Sequence, residues 1–392
     1  MLKLKHLRHP IRSLSTAWSL IAMQWNVIRL VYRGERRYRN DPRYDPQNVT
    51  DGFAPRAHGE KDDTALLQRI CKAYIAASEQ QALAKPAYQA TRWWQAVRQE
   101  SLRPVQKALA GSDYAALQTM YRNFFRDPCS AGLIGVPFHI SQAHAVEHLR
   151  DLYRRFYLSD ALHRIDYWTA QTAGRFALPE LTGPGLGNPF GLSIAETFVS
   201  TGAEYQHFYA HKICGLLASN CATVVEIGGG FGGLAYFLLR ERPSFRYLDF
   251  DVPESLALTS YYLLKSFPNL RFLLYGEEEL TRTSFEKFDV ILMPVFELGK
   301  VPAKSVDLAF SSHAITSLAP QAMQEYLNEV ARFTRELFLY VGNGPESLPI
   351  EKLIRAEFPA LTLQQKRVLD WNRQRYLNSN EAECLYRFGA GS

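Results

Sequence analysis

The residues best suited to chemistry lie in one short run, Val224-Val225-Glu226-Ile227-Gly228-Gly229-Gly230-Phe231-Gly232-Gly233. The apolar start reads as a buried strand, and the glycines let the chain turn sharply and approach a ligand closely. A helix beginning near Gly232 would aim its unpaired N–H groups at the same place. The spacing Gly228-x-Gly230-x-Gly232 fits a loop that cradles S-adenosylmethionine (SAM), whereas Gly228-x-Gly230-x-x-Gly233 fits a dinucleotide loop. The glycines alone do not choose between the two. Two acidic positions do. Glu226 stands two residues before the first glycine, where a dinucleotide-binding strand is usually apolar and where a carboxylate suits a cationic amino-acid ligand. About 20 residues on, Asp249-Phe250-Asp251-Val252-Pro253-Glu254 ends a second strand and offers a carboxylate to ribose hydroxyls.

A general base is the other group to look for, because an uncharged hydroxyl acceptor is a poor nucleophile. His313 follows the apolar run Ser305–Ser312 at the edge where ligands of open α/β sheets bind, and an imidazole titrates near pH 7. It is the catalytic candidate; capping of the next helix or stacking on an adenine are its alternatives. Should it fail, Glu254, Glu297 and His207 come next. Asp307, inside the strand, reads as structural. His207 and His211 share one helix face but lack further ligands for a metal, so no metal-binding residue is assigned.

The elements that must position these groups come in two styles. From about residue 223, strand-like runs alternate with helical ones: ATVVEIG, GLAYFLLRE, FRYLDFD, ESLALTSYYLLKSF, FDVILMP, VDLAFSS, PQAMQEYLNEVARFTR and ELFLYVG. This predicts βαβ units in a mostly parallel sheet. The closing runs LTLQQKRVL and ECLYRF, joined by the polar stretch 370–380, predict a terminal antiparallel hairpin. The expected fold is α/β, a Rossmann-like class I methyltransferase sheet, with an N-terminal helical region. Before the sheet a helix is expected from about Ser193 to Ser219. The stretch 174–192, with five glycines and three prolines, reads as an interdomain or substrate-facing loop. Upstream, helical patterns cover 65–83 (capped by Asp63 or Thr64), 87–109, 113–125 and 142–158. They suggest a cap or dimerisation region, leaving a homo-oligomer open. The resulting division is 1–40, 41–192 and 193–392.

The blocks VVEIGGGFGGLAYFL, YLDFDVPESLALTSYYL, FPNLRFLLYGE and SVDLAFSSHAITSL, in that order, resemble the sugar O-methyltransferase family found with bacterial surface-polysaccharide genes. The resemblance covers roughly residues 195–345, and its first block is shared with many methyltransferases. It implies a SAM-dependent O-methyltransferase acting on a sugar hydroxyl of a surface glycan or its precursor. Glu226, Gly228, Gly229, Gly230 and Gly232 would surround the methionine part and Asp251 would hold the ribose. The family leaves a divalent metal open, since magnesium serves some members. Ser311–Leu318 and Gly342-Asn343-Gly344 depart from its pattern at two acceptor-facing positions, so the acceptor is the least determined feature. Alternatives are another small-metabolite acceptor or a non-catalytic binding protein on the same fold.

Charge separates the N-terminus from the rest. Residues 1–40 hold nine Lys/Arg against Glu35, an excess of +8, while the remainder sums to −2. This argues against a nucleic-acid-binding surface, which would spread basic residues over the folded body. Residues 14–32 are apolar with Trp18, Trp25 and Tyr32, but too often interrupted for a membrane span. An interfacial helix on an anionic membrane or a helix packed on the protein are the two readings. Five scattered cysteines without CxxC spacing predict neither a disulfide framework nor structural zinc, and point to the cytoplasm. The expected location is therefore cytoplasmic, with peripheral attachment to the inner face of the membrane through residues 1–40.

Overall fold

A computed structural model describes residues 10–56, 62–134, 151–377 and 380–389. The N-terminal half is helical: α1 (Pro10–Tyr38), α2 (Pro46–Phe53), α3 (Thr64–Leu83), α4 (Arg92–Val97), α5 (Arg103–Ala110), α6 (Tyr114–Arg122) and α7 (Asp151–Gln171). Most of the helix expected over 142–158, with His139, His144 and His148, lies outside the described residues. The helix expected over 87–109 is broken: a π-helical turn, Arg98–Leu102, separates α4 from α5, and Pro104 begins the second piece because it cannot supply an interior N–H. Asp63 stands at the N-cap of α3, one of the two expected positions, but its side chain makes no capping hydrogen bond. Asp62 Oδ1 accepts the Thr64 N–H at 2.9 Å, and Asp63 instead binds Lys265 at 2.8 Å and Tyr261 at 2.9 Å.

A small antiparallel hairpin follows, β1 (Gly191–Ile194) and β2 (Thr197–Ser200). Only then does a helix run, α8 (Ala203–Leu216). The helix expected from about Ser193 is thus corrected: its first residues turn at Ala195 and Glu196, both with positive φ (46° and 64°), and Thr197, Phe198 and Val199 pair as a strand. Two consecutive left-handed residues are the geometry of a tight hairpin turn.

The main sheet comprises β3 (Thr223–Ile227), β4 (Arg246–Asp251), β5 (Phe272–Leu274), β6 (Val290–Pro294), β7 (Val306–Ser312), β8 (Thr334–Asn343), β9 (Leu361–Val368) and β10 (Glu381–Phe388). Its order is β5-β6-β4-β3-β7-β8-β10-β9. The first six strands are parallel, and β10 runs antiparallel to both β8 and β9. The expected mostly parallel sheet with a closing hairpin is present. Helices α9 (Gly233–Glu241), α10 (Pro253–Ser266), α11 (Ser284–Lys287), α12 (Pro320–Phe333) and α13 (Gly344–Glu357) fill the crossovers. Pro253 and Pro320 stand at the first turn of their helices, where a missing N–H costs nothing. Side chains alternate across the sheet: Val224 and Leu308 join the apolar layer on one face, Val225, Ile227 and Ala309 the layer on the other. Burial on both faces is why these strands read as unbroken apolar runs.

Strand order reverses between β3 and β7, so their carboxyl ends flank a crevice with no crossover helix above it. The chain enters that crevice at Gly228 from one strand and at His313 from the other.

Candidate functional site

Leaving β3, the backbone takes positive φ at Gly228 (83°), Gly230 (64°) and Gly232 (89°) before α9 starts. At Gly228 and Gly230 glycine is required twice over. Besides the conformation, a Cβ at Gly228 would fall 2.3 Å from the Ala314 Cβ, and one at Gly230 would fall 2.8 Å from the Leu133 carbonyl oxygen. The turn is held from below by acids of β4. Gly229 N–H donates to Asp249 Oδ1 at 3.0 Å and Gly230 N–H to Asp251 Oδ2 at 3.1 Å. Asp251 is further bound by the Val252 N–H at 2.7 Å and Ser255 Oγ at 2.6 Å.

Register brings three carboxylates together. Glu226 on β3 pairs directly with Asp249 on β4, with Asp251 two residues on. Glu226 receives the Tyr247 hydroxyl at 2.5 Å. Burial pushes Glu226 up to about 7, against the pull of the Tyr247 hydrogen bond, and Asp251 adds to the rise. Burial raises Asp251 to about 6, despite its hydrogen bonds. Asp249, wholly buried with Oδ2 unpartnered, is also held well above the usual carboxylate range by burial and its two acidic neighbours. Three crowded acids out of water favour protons or a cation.

Two cavities meet at this turn and share Gly228, Gly230, Ser312, His313 and Asn343. The larger, about 660 Å³, runs along the ends of β4 and β6 past Asp251, Val252 and Val295, with Tyr88, Trp94 and Tyr326 on its walls. The smaller, about 370 Å³, contains Glu226 and runs over β7 and β8 toward Arg164, Tyr205 and Asn372. Of the residues singled out in the sequence, Glu226, Gly228, Gly229, Gly230, Asp251 and His313 line one cavity or both. Gly232 lines neither; it forms the N-cap of α9. Segment 174–192 also lines neither; its last two residues begin β1, and the Gly187 carbonyl accepts from Phe125 N–H at 3.1 Å.

His313 adopts φ 63°, a conformation uncommon outside glycine and typical of strained functional positions. Its Nε2 lies 2.7 Å from Glu381 Oε1, and Glu381 is buried at the start of β10. With Nε2 so held, Nδ1 is the ring nitrogen left for another partner. Asn372 Nδ2 reaches the other Glu381 oxygen at 3.5 Å, and Ser312 Oγ lies 2.8 Å from the Tyr205 hydroxyl. Farther along the cavity, Arg164 pairs with Glu204 and donates to Asn372 at 3.2 Å, and Arg375 pairs with Asp160 at 2.9 Å.

The other candidates are committed elsewhere. Glu254 is held by Trp94 Nε1 at 2.5 Å and by Arg98, Glu297 by Lys300 at 3.0 Å. Asp307 accepts Thr223 N–H at 2.7 Å and pairs with Arg335, which is the structural role expected of it. His207 is buried among aromatic rings with Trp168 Nε1 3.2 Å from its Nδ1, and burial lowers it to about 4. Among the described residues no group of three or more His, Cys, Asp or Glu is placed to hold a metal ion.

Sequence reasoning missed Glu381, Asn372, Arg375, Arg164 and Tyr205, and the walls given by Tyr88, Trp94 and Leu133. One signal existed for Glu381: it and Glu383 alternate within the apolar run of β10, so they share a face that should be dry.

The order β5-β6-β4-β3-β7-β8-β10-β9, parallel as far as β8 and closed by an antiparallel hairpin, with a glycine turn at the switch point, is a Rossmann-like sheet of the kind expected from the sequence. No family model matches the chain, and no curated protein matches it. Among solved structures, a SAM-dependent methyltransferase from Aquifex aeolicus aligns at 13% identity and TM-score 0.32, over 47% of this chain and 93% of that one. The pyocyanin biosynthetic protein PhzM aligns at 13% identity and TM-score 0.34, over 74% and 71%. Geranyl diphosphate C-methyltransferase from Streptomyces coelicolor A3(2) aligns at 10% identity and TM-score 0.34, over 47% and 76%.

Proposed function

We propose that the protein is a SAM-dependent O-methyltransferase acting on a hydroxyl of a sugar or glycan. The observation carrying the proposal is the His313–Glu381 pair, 2.7 Å apart, at the junction of a nucleoside-sized cavity and a polar one. The residues present fit SAM. The Gly228–Gly230 turn brings bare backbone to the edge of both cavities, the N-terminus of α9 opens beside it, and crowded acids suit a cationic ligand. Glu226 would hold the methionine amino group, Asp251 the ribose, and the cavity past Val295 the adenine. When bound, the cofactor supplies an electrophilic methyl group on a cationic sulfur.

The protein's own work is to orient the acceptor and take its proton. Glu381 fixes the His313 ring through Nε2 and offers a buried negative charge to the imidazolium that forms when Nδ1 receives the hydroxyl proton. A hydroxyl is the acceptor that needs this help. The cavity favours a polyhydroxylated, uncharged molecule: Arg164 and Arg375 are each balanced by an acid, while Asn343, Asn372 and Tyr205 add polar groups and Phe310 and Tyr376 flat apolar surface. Tyr88, Trp94 and Arg164 of the N-terminal helical region wall the two cavities.

Mass spectrometry of surface glycans from cells with and without the gene tests the proposal. A difference of one methyl group per repeat is expected; identical glycans, with no methyl transfer to sugars by the purified protein, would refute it.

A further inference from the structure

Among the described side chains of α1, residues 24–38, one face is used by the fold and the other is exposed. Val27, Leu30, Val31 and Tyr38 are buried, largely against α7. That side is pinned by Gln24 to the Tyr153 hydroxyl at 2.7 Å, by Glu35 to Arg155 at 2.6 Å, and by the Tyr38 hydroxyl to Asp166 at 3.1 Å. On the opposite side Trp25, Ile28 and Tyr32 are 61%, 43% and 67% exposed. Spacings of three and four set them in one stripe. Arg29, Arg36 and Arg39 are exposed along the same stripe, and among the described residues they form no ion pair. In the sequence the spacing continues upstream through Leu14, Trp18 and Ile21, and the charge through Arg12, Arg8, Lys5 and Lys3.

We infer that α1 seats the protein on an anionic membrane surface through the Trp25–Ile28–Tyr32 face. The two sequence-based readings of this segment therefore apply to opposite faces of one helix. A second copy is disfavoured as the occupant, because it would set one +8 segment against another. An anionic bilayer supplies the opposite charge, together with a headgroup boundary where Trp and Tyr rings sit and arginine stems lie along apolar surface. Among the described residues no helix is long and apolar enough to cross a membrane, so the helix lies in the surface. The same helix grips the wall of the acceptor cavity: Arg33 donates to Gln374 Oε1 at 3.4 Å and to the Arg373 carbonyl, beside Asn372 and Arg375. Seating on the bilayer thus holds that cavity beside it.

Sedimentation of the full chain with vesicles tests the inference without reference to catalysis. The vesicles are phosphatidylcholine alone or phosphatidylcholine with phosphatidylglycerol. Co-sedimentation with the anionic vesicles only, declining as salt rises, is expected. Trp25→Ser/Ile28→Ser/Tyr32→Ser should abolish it, and Arg29→Gln and Arg36→Gln should each weaken it about fivefold. These positions are exposed, so melting temperature and SAM binding should be unchanged in every variant, which separates loss of docking from loss of fold. Recovery of the native protein in the supernatant with both vesicles would overturn the inference. So would binding that the triple variant leaves intact. A dimer in ultracentrifugation that the triple variant dissolves would assign the face to a second copy and overturn it as well.

Discussion

Glu226 offers the sharpest test of the cofactor site. Buried beside Asp249 and Asp251, it is raised to about 7, so in the ligand-free protein it is mostly protonated at pH 5 and mostly ionised at pH 8. A cationic ligand binds the ionised form. Two pH units below a pKa of about 7 leaves about 1% ionised, so SAM affinity should be about 100-fold weaker at pH 5 than at pH 8 from this group alone. Asp251, raised to about 6, adds about another tenfold at pH 5. The effect on stability has the opposite sign. Both acids have folded-state values above their unfolded ones, so without ligand their contribution is complete below about pH 4 and is lost as pH rises through 6 and 7. Bound cation removes that loss, so stabilisation by SAM should grow with pH. Glu226→Gln keeps an oxygen for the Tyr247 hydroxyl and removes the charge. Its affinity at pH 8 should fall toward the native value at pH 5, with only the slope due to Asp251 remaining. Calorimetry from pH 5 to 8, in buffers of different ionisation enthalpy, reads both affinity and proton release. A flat native profile, or a variant with the native slope, would refute the reasoning.

Gly230→Val should abolish SAM binding, since the side chain must enter beside the Leu133 carbonyl at φ 64°; calorimetry with SAM and NAD side by side also tests the cofactor, and tight NAD binding without SAM binding would reject it. His313→Ala should lower kcat about 10²- to 10⁴-fold in single-turnover methyl transfer while nearly preserving SAM affinity. If the ring stacks on adenine instead, affinity falls and kcat at saturating SAM survives. Glu381→Gln should lower kcat with SAM affinity kept, and Glu381→Asp should recover part of it, whereas a purely structural role would show as a lower melting temperature without that split. Lys265→Met leaves buried Asp63 without its cation and should cost about 3 kcal/mol in denaturant unfolding; no measurable change would rule out a stabilising role for that pair.

What was legible in the sequence was what local pattern encodes. Buried parallel strands show as apolar runs, so β3, β4, β6, β7 and β8 could be placed, and the glycine turn announced the switch point before any strand order was known. The β1–β2 hairpin was hidden for a local reason as well. Its turn is Ala195-Glu196, with neither glycine nor asparagine to mark two left-handed residues, and the apolar spacing there also suits a helix. The rest of the site was hidden by distance along the chain. Glu381 meets His313 across 68 positions and Trp94 meets Glu254 across 160. No periodicity reports such pairs. The His313 position could be guessed because a strand end is a local fact, whereas the group that orients its ring is a tertiary one.

The helical half, which by its sequence named no chemistry, contributes walls to both cavities. The ends of β3, β4 and β7 supply the crevice around the glycine turn. The smaller cavity is closed by residues from elsewhere: Arg164 on α7, and Asn372 and Arg375 between β9 and β10, Arg375 being paired with Asp160 of α7. A buried arginine paired one-to-one with a carboxylate adds little net stability, because desolvation offsets most of the attraction. What such a pair does add is direction: donors fixed in place at no net charge. A phosphorylated or carboxylated acceptor would be better served by an unbalanced cation, and an apolar one by no charges at all. A neutral polyol is the class that needs many fixed hydrogen-bonding groups and no net field. That requirement, together with a His313 ring held by a buried carboxylate, is the physical ground on which a sugar hydroxyl is proposed as the acceptor.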